Sequence, residues 1–130
     1  MATIRPLTDE ERIRLLKIII GPSSDEPIPT DTGPGISLFE DSGRWLCGIL
    51  FISNESNVLA GGCIPEAQGA GIWIQYWPQM LEWAHSIHNE FIVEQDNDKQ
   101  GDLMMKLGGI NKEYFELNGM QWNKVTFRKQ

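Results

Sequence analysis

The sequence predicts an α+β fold: one mixed, mostly antiparallel sheet of six to seven strands, with three to four helices on its two faces. Three observations predict it. Short apolar runs of strand length alternate with clusters of Gly, Asn, Asp and Ser. Longer segments carry apolar residues at helical spacing between recognisable start and stop signals. The order of these elements, β-α-β-β-β-α-β-α-β-β, places helices singly among hairpins, which suits a mixed sheet better than a parallel one.

Ala2 to Pro6 reads as the first strand. Thr8-Asp9-Glu10-Glu11 is a capping box, with Thr8 as N-cap and Glu11 three residues on. Ile13, Leu16 and Ile20 recur at helical spacing, so a helix runs to about Ile20, and Gly21-Pro22 ends it. The acidic side chains of Asp9, Glu10 and Glu11 complement the helix dipole. Pro22, Pro27, Pro29 and Pro34 make residues 21–35 a long surface loop. Ile36 to Glu40 is a strand, Asp41-Ser42-Gly43 a tight turn, and Arg44 to Ser53 the partner strand. Asn54 to Asn57 turns the chain again into Val58–Ile64, completing a three-strand meander.

A helix ending near His88 follows. Pro78 lies inside it, and proline removes a helical hydrogen bond at a cost of about 3 kcal/mol. Two starts are therefore open: near Gly71 with a kink, which we favour, or at Trp77-Pro78, leaving residues 72–76 irregular or extended. Glu90 to Gln95 is a strand. Asp96-Asn97-Asp98 caps a helix to Leu107 that Gly108-Gly109 stops. Lys112–Leu117 and Gln121–Phe127 close the chain as a hairpin around Asn118-Gly119.

The 130 residues suit a single domain, 1–130, with ordinary hydrophobic (41%) and charged (22%) content. A net charge of −7 argues against general nucleic-acid binding, which needs a basic footprint. Nothing approaches a membrane span or a secretory leader, so a secreted protein is not expected. Cys47 and Cys63 make no disulfide framework and read as two buried thiols in a reducing compartment. His85 and His88 share a helix face with Glu82 but lack a third convergent ligand, so no metal site is expected. Trp73, Tyr76, Trp77, Met80 and Trp83 form an aromatic stripe that reads mainly as core, with an exposed subset as the candidate protein interface.

The chemically suggestive segment is Ile64-Pro65-Glu66-Ala67-Gln68-Gly69-Ala70-Gly71-Ile72-Trp73. Small residues let backbone N–H groups close on a pyrophosphate at a helix N-terminus, and Gln68, Gly69, Ala70 and Gly71 meet that need. Trp73 puts an indole where another small residue would serve.

This loop and the element order resemble the GNAT (Gcn5-related N-acetyltransferase) superfamily over nearly the whole chain. Thr3-Ile4-Arg5-Pro6 looks like its first strand, and Phe39 to Gly48 like its second hairpin. Residues 64–72 resemble its Q/R-x-x-G-x-G/A loop, and Met80–Ala84 the helix behind it. Asn97, Leu103, Lys106, Leu107 and Gly108 match its N…L..KLG signature. The resemblance implies acetyl-CoA in an opening between Val58–Ile64 and Glu90–Gln95, with the cofactor contacts on Gln68, Gly69, Ala70, Gly71, Trp73 and Asn97. It implies no metal.

Four departures argue against activity. Trp73 occupies the loop's final Gly/Ala position. Pro78 interrupts the helix. Met104 stands at the family's tyrosine and has no proton to donate. No acidic residue lies in Val58–Ile64, leaving Glu66 and Glu94 as candidate bases. We therefore expect a GNAT-fold protein with an eroded acetyl-CoA site, binding no cofactor and serving as a structural or interaction component. A looser resemblance points to internal virion proteins of tailed bacteriophages, with other virion proteins as partners, in the host cytoplasm or the particle. It also allows a homo-oligomer through the C-terminal hairpin. The alternative is an active acetyl-CoA-dependent N-acetyltransferase of unknown acceptor, with a coenzyme-binding sensor between the two.

Overall fold

Residues 3–21, 25, 27–67 and 71–129 are described in the computed structural model. The chain runs β1 (Thr3–Pro6), α1 (Asp9–Ile20), β2 (Gly35–Phe39), β3 (Trp45–Phe51), β4 (Val58–Cys63), a 3-10 turn (Pro65–Ala67), α2 (Ile72–His85), β5 (Glu90–Gln95), α3 (Asp98–Lys106), β6 (Asn111–Leu117) and β7 (Met120–Arg128). The seven strands form one sheet in the order β1-β2-β3-β4-β5-β7-β6. Pairing is antiparallel for β1–β2, β2–β3, β5–β7 and β6–β7. It is parallel for β4–β5, through Val58↔Ile92 and Leu59↔Val93. The mixed sheet expected from the element order is therefore present, with three α-helices.

Contacts divide the chain into two units, Met1–Ser56 with Ala60–Gly71, and Asn57–Leu59 with Ile72–Gln130. In the first, α1 starts as the sequence dictates. The Thr8 side chain accepts from the Glu11 N–H at 3.2 Å, and the Glu11 carboxylate accepts from the Thr8 N–H at 3.0 Å. The helix buries Leu15 and Leu16 against Trp45 and Leu50. Space for it comes from the strands: a Cβ added at Gly48 would stand 3.1 Å from Leu15, and one at Gly62 would stand 2.8 Å from Ile18. Trp45 Nε1 is satisfied below the surface by Ser37 Oγ at 2.9 Å.

In the second unit, opposed residues of β5 and β7 share a face, so the register Phe91↔Phe127 and Val93↔Val125 turns Phe91, Val93, Val125 and Phe127 the same way. Phe91 and Phe127 stack at 5.1 Å. Trp77 of α2 packs on Phe127 at 5.2 Å, and His85 on Phe91 at 5.0 Å. These aromatic contacts hold α2 on the sheet.

Of the two starts the sequence leaves open, the favoured one is found: α2 is continuous from Ile72 to His85 with Pro78 inside it, so residues 72–76 are helical rather than irregular or extended. The carbonyl that proline leaves without a helical donor is that of Ile74, four residues back. Ile74 is 57% exposed, so water can take the donor's place. The helix also ends at His85 rather than near His88.

Candidate functional site

The sequence-predicted residues fall in three places. Gln68, Gly69 and Ala70 lie outside the described residues. Gly71 has φ +74°, and among the described residues nothing lies within 4 Å of where its Cβ would stand. That left-handed conformation is one glycine adopts without steric cost. Helix α2 begins at the next residue, and its first turn, Ile72-Trp73-Ile74-Gln75, carries no acidic side chain. The partial positive charge of these first N–H groups is therefore not cancelled locally, which suits a diphosphate. Trp73 is half-buried in this turn.

Glu66 is exposed in the 3-10 turn Pro65–Ala67. Glu94 is exposed on β5, directly opposite Lys124 of β7. Neither carboxylate is desolvated. Met104, which the resemblance set where a proton-donating tyrosine was expected, is 2% exposed and fills core.

Asn97 is the N-cap of α3: its side-chain oxygen accepts from the Gln100 N–H at 3.2 Å. Its backbone carbonyl accepts from Asn123 Nδ2, also at 3.2 Å. Asn123 in turn accepts from Gln95 Nε2 at 2.5 Å, and Gln95 and Asn123 are both buried. A polar chain thus ties the end of β5 and the start of α3 to β7.

Beside it sits a cluster that sequence reasoning missed. Lys112 Nζ of β6 donates to Asp98 at 2.6 Å and to Asp102 at 2.8 Å, both on α3. The Tyr114 hydroxyl donates to Asp98 at 2.7 Å. The hydrogen bond from Lys112, then that from Tyr114, holds Asp98 below its ordinary pKa of 3.8. Hydrogen bonds to Asp102 and Asp98 push Lys112 up. The pairs are separated by 14, 10 and 16 residues, so no local pattern announces them. Only the packing of α3 against β6 brings them together.

An open hollow of about 350 Å³ lies along the β6–β7 hairpin, lined by Tyr114, Phe115, Glu116, Gly119 and Gln121. It contains none of the predicted site residues. Among the described residues no group of three or more His, Cys, Asp or Glu could hold a metal ion. His88 lies beyond the end of α2, and its carbonyl accepts from His85 Nδ1 at 3.2 Å. No helix among the described residues is long and apolar enough to cross a membrane. The expected exposed subset of tryptophans is not found: Trp45 and Trp77 are buried, and Trp73, Trp83 and Trp122 are half-buried.

No protein-family model and no curated protein sequence matches the chain. Solved structures do. A candidate phosphinothricin N-acetyltransferase superposes with TM-score 0.73 at 13% identity, covering 100% of this chain and 99% of that one. A mutant spermidine/spermine N-acetyltransferase from Vibrio cholerae gives TM-score 0.72 at 14% identity, covering 99% and 95%. The chain has the GNAT fold. A dodecameric spermidine N-acetyltransferase from Vibrio cholerae also matches, with TM-score 0.71 at 14% identity, covering 98% and 94%. These neighbours are acetyltransferases, and the virion reading has no support beyond the looser sequence resemblance.

Proposed function

We propose that this GNAT-fold chain is an acetyl-CoA-dependent N-acyltransferase acting on a small amine. The reading rests on one observation above the others. Helix α2 starts at Ile72, immediately after the left-handed Gly71, and runs through Pro78 without losing its N-terminus. The displaced helix terminus that argued for an eroded site is therefore removed. Acetyl-CoA would supply the acyl thioester. The N–H groups that begin α2, with Gly71 and the adjoining Gln68, Gly69 and Ala70, would hold its diphosphate, and Asn97 would stand near the cofactor while capping α3.

Chemistry in this reading depends chiefly on positioning, since placing an amine against a thioester can lower the barrier by several kcal/mol. Glu66 or Glu94 would accept the ammonium proton through water. Met104 has no proton to give, so the departing thiolate would take its proton from solvent. The neighbours' substrates, phosphinothricin and spermidine, are amines. The net charge of −7 favours the cationic one as the model for this chain's acceptor.

A second reading keeps the fold without the reaction. It is favoured by the half-buried Trp73 in the first turn of α2 and by the donor-free Met104. The non-catalytic protein would then serve through protein partners, virion components included, or as a homo-oligomer.

One titration separates the two. On the catalytic reading, acetyl-CoA at a hundred times its dissociation constant raises stability by about 2.7 kcal/mol, and spermidine then elicits CoA release. On the non-catalytic reading the wild type shows no saturable shift, and Trp73→Gly gains one. Absence of saturable binding to the wild type, whatever Trp73→Gly does, would overturn the proposal.

A further inference from the structure

Cys47 of β3 and Cys63 of β4 are buried, reduced and on neighbouring strands of the first unit. Two observations place them opposite one another. The Ile64 N–H donates to the Leu46 carbonyl at 2.9 Å. Positions rise along β3 (46, 48) as they fall along β4 (64, 62), so the two strands run antiparallel, and the Leu46–Ile64 bond borders a non-hydrogen-bonded pair, Cys47 and Cys63. Gly48 and Gly62, the next pair in that register, both face Leu15 of α1. The two sulfurs therefore lie on the strand faces turned away from α1.

Non-hydrogen-bonded pairs bring Cα atoms to about 4.5 Å, within the separation a disulfide spans. The side chains already meet, for the Cys47 thiol donates a hydrogen bond to the Cys63 sulfur. A lone buried cysteine is a small apolar filler, and alanine or valine serves as well. Two facing thiols add one property such fillers lack: they can surrender two electrons together.

We propose that Cys47 and Cys63 form an oxidisable dithiol, a modification site at which a two-electron oxidant such as hydrogen peroxide closes a disulfide between β3 and β4. The Cys63 thiolate attacks a peroxide oxygen, giving a sulfenic acid and one water. The Cys47 sulfur then attacks the Cys63 sulfur, forming the S–S bond and expelling a second water. In sum two thiols lose two electrons and two protons, and peroxide is reduced to two waters. The roles follow from the hydrogen bond: accepting it lowers the Cys63 pKa, whereas donating it, and then burial, raises that of Cys47. Cys63 is also the last residue of β4, where a strand end opens more readily than its middle.

The test is peroxide treatment of the native wild-type protein, acid quenching, alkylation of remaining thiols, and intact-mass and peptide analysis. The expected product is a monomer lighter by two hydrogens that takes up no alkylating agent. Chymotryptic digestion, which cuts between the two cysteines at Phe51, should give a linked pair of peptides. The melting temperature should rise on the order of 10 °C and return on reduction. Cys47→Ser should instead leave a sulfenic acid on Cys63 that dimedone traps. Thiols that stay unreacted while the fold persists, a covalent dimer, or over-oxidation of each cysteine separately would overturn the proposal.

Discussion

Gly101 gives a prediction whose sign separates packing from helix propensity. Replacing an interior helical glycine by alanine ordinarily favours the helix by about 1 kcal/mol. Here the expected result is the reverse. Gly101 is buried in α3, and an added Cβ would overlap Asn123 Oδ1 and stand 2.8 Å from Asn123 Cγ and 2.9 Å from Lys112 Cε. Asn123 has little room to retreat, since Gln95 Nε2 donates to it at 2.5 Å and it donates to the Asn97 carbonyl at 3.2 Å. Lys112 is tethered to Asp98 and Asp102. Overpacking costs about 1–3 kcal/mol. Each Asn123 hydrogen bond lost adds about 1 kcal/mol. Against the propensity gain, Gly101→Ala should destabilise by about 2–4 kcal/mol, lowering the melting temperature by roughly 8–16 °C. Urea unfolding followed by tryptophan fluorescence, with an unchanged m-value, is the assay. Combining Gly101→Ala with Asn123→Ala should cost clearly less than the sum of the single changes, because the second makes room for the first. A Gly101→Ala protein as stable as wild type would refute the argument.

Two further changes probe other parts of the chain. Ser37→Ala removes the partner of the buried Trp45 Nε1, so it should cost about 1–3 kcal/mol in urea unfolding; a neutral change would mean the indole finds another acceptor. Asp98 has its pKa held below 3.8 by Lys112 and then Tyr114, so its contribution to stability is present above that value and lost as pH falls through the lowered one. The stability difference between wild type and Asp98→Asn should therefore shrink as pH is lowered from about 6 towards 3, and a difference independent of pH would contradict the cluster.

Where the physics is local, the sequence is legible. Thr8 and Glu11 cap α1 reciprocally as their spacing dictates. Asn97 caps α3, the ordinary role of that residue type before a helix. Pro78 left two starts of α2 open because the cost of a helical proline depends on whether its orphaned carbonyl can be hydrated. That is a question of which side faces water, and periodicity alone does not answer it. The cluster of Lys112 with Asp98, Asp102 and Tyr114 was invisible because it depends on how α3 packs against β6. The fit of Gly101 is equally invisible in the sequence, since it depends on Asn123 filling the space of its missing Cβ. Of the candidate site, Gly71, Trp73 and Asn97 could be named in advance, but whether Trp73 obstructs a ligand depends on side-chain placement that composition does not encode.

The sheet's two outermost strands differ in how they discourage further strands from adding on. At one margin β1 is four residues long and ends in Pro6, which has no N–H to offer an incoming chain. At the other, β6 is seven residues long, and its Lys112, Glu113 and Glu116 put charge along an otherwise receptive border. Growth into ribbons is thereby disfavoured at both ends. Self-association of this protein at high concentration should accordingly leave the count of strands per sheet unchanged.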